Sequence, residues 1–201
     1  MQSLDAFILI GGQSRRMGRA KSGLTIDGQT FVELIANQMT TLATSITVVG
    51  DSASPPKLRQ VKDVYPGWGA LGGVHTALAN CSCAWALVVA CDFPFVTTDL
   101  FLRMMTLMEG FEAVAPVQLD QVPQPLCTLY RVEPCLAKVE QLIKSGERKP
   151  IALLQSVRTR WIAFDELADL KSAAHFFDNI NTPEDYDRIA KKGIDSTDAV
   201  A

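Results

Sequence analysis

The chain alternates between short runs of large apolar residues and longer stretches where apolar residues recur at helical spacing. Residues 4–10 make the first run, with Ala6, Phe7, Ile8, Leu9 and Ile10 in succession, and read as a buried strand. A loop occupies residues 11–23. Leu24, Thr25 and Ile26 form a short extended piece, turned at Asp27 and Gly28. From Thr30 the period becomes helical: Phe31, Leu34, Ile35, Gln38, Met39 and Leu42 share a face. Thr30 is placed to cap that helix, with Glu33 three residues on. Ile46 to Val49 is the second strand, residues 50–60 are a Pro- and Ser-containing loop, and residues 61–64 make a short strand. A glycine-rich turn from Tyr65 to Gly73 opens a helix ending near Ala79. Residues 84–90 are apolar throughout and read as a central parallel strand. Thr97 or Thr98 then caps a helix carrying Leu100, Phe101, Met104, Met105 and Met108.

The second half is less regular. Strands are expected at residues 113–115, 126–130 and 161–164, with helices starting at Pro134 and Pro150. Thr182-Pro183-Glu184-Asp185 combines an N-cap, a proline at the first helical position and acids in the first turn, which predicts a last helix. Alternation of strands and helices predicts an α/β fold, a mainly parallel sheet with helices on both faces. Right-handed crossovers bring the carboxyl ends of the first strand and of the 84–90 strand together, and ligands bind at that edge. We expect a single domain over residues 1–190. Residues 1–110 form its more regular half and residues 111–190 the less regular one, and residues 191–201 are a frayed polar tail.

The first strand runs directly into Gly11-Gly12-Gln13-Ser14-Arg15-Arg16-Met17-Gly18-Arg19-Ala20-Lys21. Glycine lets backbone N–H groups approach an anion, and arginine and lysine neutralise it, so the loop suits a phosphate chain. Its spacing is neither that of a P-loop nor that of a dinucleotide fingerprint. Lys21 supplies a compact charge suited to a polyphosphate. Leu9, Ile10 and Gly11 offer main-chain groups that can read the edge of a base. Asp92 ends the 84–90 strand, where a carboxylate either caps the turn before Pro94 or holds Mg²⁺ beside phosphates.

The loop resembles the G-G-x-S-x-R-M-G-x-x-K signature of nucleotidyltransferases with a Rossmann-like, three-layer α/β/α fold. Three further segments, Pro66-Gly67-Trp68-Gly69-Ala70-Leu71-Gly72-Gly73, Cys91-Asp92-Phe93-Pro94-Phe95 and Asn179-Ile180-Asn181-Thr182-Pro183-Glu184-Asp185, narrow the resemblance to the molybdenum cofactor guanylyltransferases. The resemblance implies transfer of GMP from GTP to molybdenum-loaded molybdopterin, with Mg²⁺ as cofactor. It implies that Lys21 and Arg16 act on the triphosphate and that Asp92 is the metal ligand. The nucleotide site then comprises Leu9, Ile10, Gly11, Gly12, Gly18, Lys21, Asp63, Gly72, Gly73 and Asp92, with Gly72 and Gly73 admitting the sugar. Asn179 and Asn181, which project to one side of an extended segment, belong by the same resemblance to the acceptor pocket, so that it implies a nucleotide-binding half over residues 1–110 and an acceptor-binding half over residues 111–190. Arg148 and Lys149 are candidates for the acceptor's terminal phosphate, and Pro125 for the pocket wall. The residues by themselves do not choose guanine over cytosine or adenine.

Totals narrow the classes further. The chain has 201 residues, 48% of them hydrophobic, enough for a core. Its net charge of −3, with positive charge gathered in the 15–21 loop, argues against a nucleic-acid binder. No apolar run approaches the ~18 residues of a membrane span, and the first residues carry no secretory pattern. The five cysteines have no zinc spacing and suit reduced thiols in the cytoplasm. His75 is expected to pack in its helix and His175 has no evident partner; no Ser-His-Asp or Cys-His set indicates a covalent nucleophile.

Two positions depart from the family pattern. Ala20 stands where relatives often carry Asp before the lysine, and Ala70 where they often carry Pro. Two alternatives therefore stay open. One is a cytidylyltransferase, or a sugar or alditol nucleotidyltransferase, of the same fold. The other is a non-catalytic protein that binds nucleotide and pterin and delivers the cofactor through transient contact with molybdoenzymes.

Overall fold

Strand β1 (Leu4–Leu9) is buried along its whole length and is an interior strand of a seven-stranded sheet in the computed structural model, which describes residues 3–11, 25–51 and 58–178. A two-stranded hairpin, β2 (Thr25–Ile26) and β3 (Gln29–Thr30), turns at Asp27 and Gly28 and leads into α1 (Phe31–Met39). The expected capping box is present. Thr30 Oγ1 accepts from the Glu33 N–H, and Glu33 Oε2 accepts from the Thr30 N–H at 2.8 Å. The buried stripe of α1 is Phe31, Val32, Ile35, Ala36 and Met39, rotated slightly from the face read off the sequence.

The chain continues through β4 (Ile46–Val49), β5 (Arg59–Val61), α2 (Gly69–Ala79), β6 (Trp85–Ala90) and α3 (Thr98–Thr106). Then come β7 (Ala113–Pro116), β8 (Cys127–Arg131), α4 (Val132–Lys144), α5 (Pro150–Ser156) and β9 (Thr159–Ile162). Strand β5 lies two residues earlier than the sequence suggested, β9 also begins two earlier, and α4 starts before Pro134, which sits in its first turn where no N–H is needed.

The sheet order is β5-β4-β1-β6-β8-β7-β9. All neighbours are parallel except at β8, which runs against both β6 and β7. Side chains alternate between the two faces. Ala6, Ile8, Leu87 and Val89 pack beneath α1 and α3. Phe7, Leu9, Ala86 and Val88 pack beneath α2, α4 and α5. The fold is thus the expected three-layer α/β/α. From β1 the chain crosses to β4 on one side, and after β5 it returns through α2 to β6 on the other. The carboxyl ends of β1 and β6 therefore flank a topological switch point. No described helix is long and apolar enough to cross a membrane.

At the opposite, amino edge, the buried Asp5 carboxylate accepts from Ser45 Oγ at 2.7 Å and from the N–H groups of Ser82 and Cys83 at 2.7 and 3.3 Å. Burial alone works against its charge, but these donors outweigh burial and lower its pKa. The carboxylate ties the start of β1 to the turn that leads into β6.

Candidate active site

Four main-chain hydrogen bonds link the carboxyl ends of β5, β4, β1 and β6 and, across from β6, the amino end of the reversed β8. The Gly50 N–H donates to Val61 O at 2.9 Å, Ile10 to Val49 O at 2.9 Å, Cys91 to Leu9 O at 3.0 Å and Ala90 to Leu126 O at 2.8 Å. This ladder fixes the predicted residues in a row. Leu9 and Ile10 are buried, Gly11 is exposed beyond them, and Asp92 is half-buried at the end of β6. Because Cys91 is bonded to Leu9, the main chain of the next residue, Asp92, is held beside the end of β1. Pro125 stands just past the same edge, its carbonyl accepting from the buried Tyr130 hydroxyl at 2.8 Å.

Gly50 was not singled out from the sequence, yet it determines this geometry. Its φ is +117°, and a Cβ there would stand 1.9 Å from the Ile10 carbonyl oxygen. Only glycine lets the ends of β1 and β4 approach so closely. The available signal was a glycine ending the apolar run of β4, which also marks an ordinary strand-to-loop boundary.

The second glycine-rich turn enters α2 at the same edge. Gly67 and Gly69 take φ of +75° and +70°. A Cβ on Gly72 would stand 2.8 Å from Trp68 Cβ, and one on Gly73 would stand 3.3 Å from Leu9 Cδ1. At both glycines the place of a side chain is thus filled by the protein's own atoms: α2 presses on its entering turn and on β1. Thr76 Oγ1 accepts from the Val64 N–H and donates to Gly72 O, both at 2.9 Å, which fixes the segment holding Asp63. Burial, together with the nearby Asp51 carboxylate, raises the pKa of Asp63.

Arg148 lies against this turn. Its guanidinium carbon is 4.5 Å from the centre of the Trp68 ring, and Nη1 donates to Gly67 O at 3.0 Å. The N–H groups of Arg148 and Lys149 both donate to Glu147 Oε1 at 2.8 Å. The α4–α5 connection, residues 145–149, is at the carboxyl edge because β8 is reversed and α4 runs back across the sheet. His75 is buried as expected, edge-on to Tyr65 at 4.7 Å, and burial lowers its pKa although Glu140 opposes this. His175 does have a partner, contrary to expectation: its Nδ1 is 2.8 Å from Asp178 Oδ2.

Gly12, Arg16, Gly18 and Lys21, with Ala20, fall outside the described residues, as do Asn179, Asn181 and the predicted last helix and tail. Burial pushes the thiols of Cys81 and Cys135 up to about 12 and that of Cys127 higher still, so none of these three is a ready nucleophile. Among the described residues no group of three or more His, Cys, Asp or Glu side chains is arranged to hold a metal. A lone carboxylate at Asp92 suits Mg²⁺, which takes most of its ligands from phosphates and water rather than from a protein cage. A concavity of about 1050 Å³, lined by Trp85, Met105, Met108, Phe111 and Arg131 among others, lies at the amino edge and includes none of the predicted residues.

Comparison with known proteins agrees with the fold. Residues 6–160 match the MobA-like NTP transferase domain. The molybdenum cofactor guanylyltransferase of Vibrio atlanticus is 31% identical over 186 residues, covering 89% of this chain and 91% of that protein. Among solved structures, molybdopterin-guanine dinucleotide biosynthesis protein A of Archaeoglobus fulgidus superposes with a TM-score of 0.78 at 24% identity, covering 94% of this chain and 97% of that one. The 2-C-methyl-D-erythritol 4-phosphate cytidylyltransferase of Thermus thermophilus has the same fold, with a TM-score of 0.68 at 17% identity and coverage of 94% and 98%.

Proposed function

The chain belongs to the MobA-like NTP transferase family, and we propose that it transfers GMP from GTP to the terminal phosphate of molybdenum-loaded molybdopterin, releasing pyrophosphate. The observation that carries this reading is the ladder at the switch point, which sets the end of β1 beside Asp92. The main-chain groups beyond the ladder, the Ile10 carbonyl and those of Gly11, read the guanine edge, because the Leu9 carbonyl and the Ile10 N–H are taken by Cys91 and Val49. Asp63 and the turn that enters α2 border the nucleoside, whereas Gly72 and Gly73 are buried against Trp68 and Leu9 and serve the packing of α2 rather than admitting the sugar. Gly12, Arg16, Gly18 and Lys21 hold the triphosphate.

The acceptor approaches from the side of the second half, past Pro125, with Asn179 and Asn181 on the pterin and Lys149, next to Arg148, toward its phosphate. An oxygen of that phosphate attacks the α-phosphorus in line, and the bond from α-phosphorus to the bridging oxygen breaks as pyrophosphate leaves. The attacking phosphate is already anionic at neutral pH, so no general base is needed. Rate comes from positioning and from neutralising charge, with Lys21 and Arg16 facing the leaving group. Asp92 would hold Mg²⁺, which supplies charge neutralisation at the phosphates when bound. The free thiols Cys81, Cys83, Cys127 and Cys135 suit a reducing cytoplasm.

The test is pyrophosphate release with Mg²⁺ and GTP, CTP, ATP or UTP, with and without the molybdenum-loaded pterin. Release only with GTP and the pterin is expected. Release with CTP in place of GTP would keep the site and overturn the base. Binding of GTP without any release would favour a delivery protein, the alternative that Ala20 leaves open.

A further inference from the structure

The Tyr65–Gly69 turn has one main-chain hydrogen bond of its own, from the Trp68 N–H to Tyr65 O at 3.1 Å, and is otherwise weakly specified from within. Trp68, the residue before α2, makes no side-chain capping hydrogen bond, the first turn of α2 has no acidic residue, and Gly67 and Gly69 sit in the left-handed region. Two of its anchors come from about eighty residues away. Trp68 Nε1 donates to Glu147 O at 3.1 Å, and Arg148 closes over the other side through the Trp68 ring and Gly67 O. Glu147 Oε1 in turn fixes the backbone of Arg148 and Lys149. The fixed turn then bears on Gly72, and Gly73 of the same helix bears on Leu9 of β1.

We propose that Arg148 is a positioning residue for the nucleotide: with Trp68 it clamps the α2 entrance, so that a loop of the acceptor half sets the nucleotide half. The inference rests on the nucleotide reading above and adds to it the side chain that holds the turn. Arg148 touches no reacting atom in this role. Its planar guanidinium stacks on the ring while donating in the ring's own neighbourhood, which a lysine does not reproduce. The same loop carries Lys149, so the energy of holding the turn and of receiving an acceptor phosphate are linked through one short segment.

The experiment measures Mg-GTP affinity by calorimetry for the wild type, Arg148→Ala, Arg148→Lys, Trp68→Leu and the Arg148→Ala/Trp68→Leu double variant, with KM for GTP and for the pterin alongside. Arg148→Ala and Trp68→Leu should each weaken GTP binding about fivefold to tenfold, the size of one exposed cation–π contact and one hydrogen bond. The double variant should be no weaker than the worse single, because the two side chains form one clamp. Arg148→Lys should restore only part of the loss, and KM for GTP should rise more than kcat falls. Wild-type GTP affinity in Arg148→Ala with a raised KM for the pterin would overturn the proposal and make Arg148 an acceptor ligand. Losses that multiply in the double variant would overturn it too. A wild type that binds no GTP would instead remove the nucleotide reading on which it rests.

Discussion

Replacing Gly50 with alanine tests whether the approach of β1 and β4 shapes the site. Two costs add. Holding a non-glycine residue in the left-handed region costs about 1–2 kcal/mol. The new Cβ would also lie 1.9 Å from the Ile10 carbonyl oxygen, so one strand end has to move. Movement strains the Gly50–Val61 and Ile10–Val49 hydrogen bonds, each worth about 1 kcal/mol. Together these give about 3–4 kcal/mol, or a fall in Tm of roughly 6–16 °C for a chain of this size. Gly110 is the control. Its φ is +79°, but a Cβ there meets nothing within 4 Å, so Gly110→Ala carries only the first cost, about 1–2 kcal/mol. Urea unfolding of both variants, with GTP affinity on the folded protein, separates the effects. Gly50→Ala should be the less stable by at least about 1 kcal/mol and should alone lose GTP affinity, because Ile10 is displaced. Equal stability of the two variants, or full GTP affinity in Gly50→Ala, would refute the argument.

Asp92→Ala should abolish turnover while leaving the unfolding transition in place, as judged by pyrophosphate release and circular dichroism; wild-type rates with Mg²⁺ would remove the residue from the site. Asp63→Asn should raise Tm at pH 7 yet weaken GTP binding. A carboxyl whose pKa is raised on folding favours the folded state only at low pH and opposes it once pH rises through that pKa, so the gain in Tm should disappear near pH 3. Asp5 has the opposite sign. Its lowered pKa contributes stability above the usual carboxylate range, lost as pH falls through the folded value, so Asp5→Ala should cost about 2–3 kcal/mol at pH 7 and progressively less in acid, as read by urea melts across pH.

Much of the fold follows from local chemistry. The unbroken apolar runs of β1 and β6 read as buried parallel strands and are paired in register, Leu9 opposite Ala90. Thr30 and Glu33 announced the start of α1 because a capping box needs only residues three apart. Glycines and cations after β1 suggested phosphate chemistry, and the order of the later segments announced the family. What the chain could not state by itself was direction and distance between remote residues. Periodicity reports which side of an element is buried, not which strand it meets, so the reversal of β8 and the course of α4 were settled by packing. That reversal brings Arg148 to the carboxyl edge and onto Trp68, 80 positions away. Gly50 looked like a loop residue until the Ile10 carbonyl was seen where its side chain would be. A glycine in sequence records only freedom; the neighbour that requires it belongs to the tertiary structure.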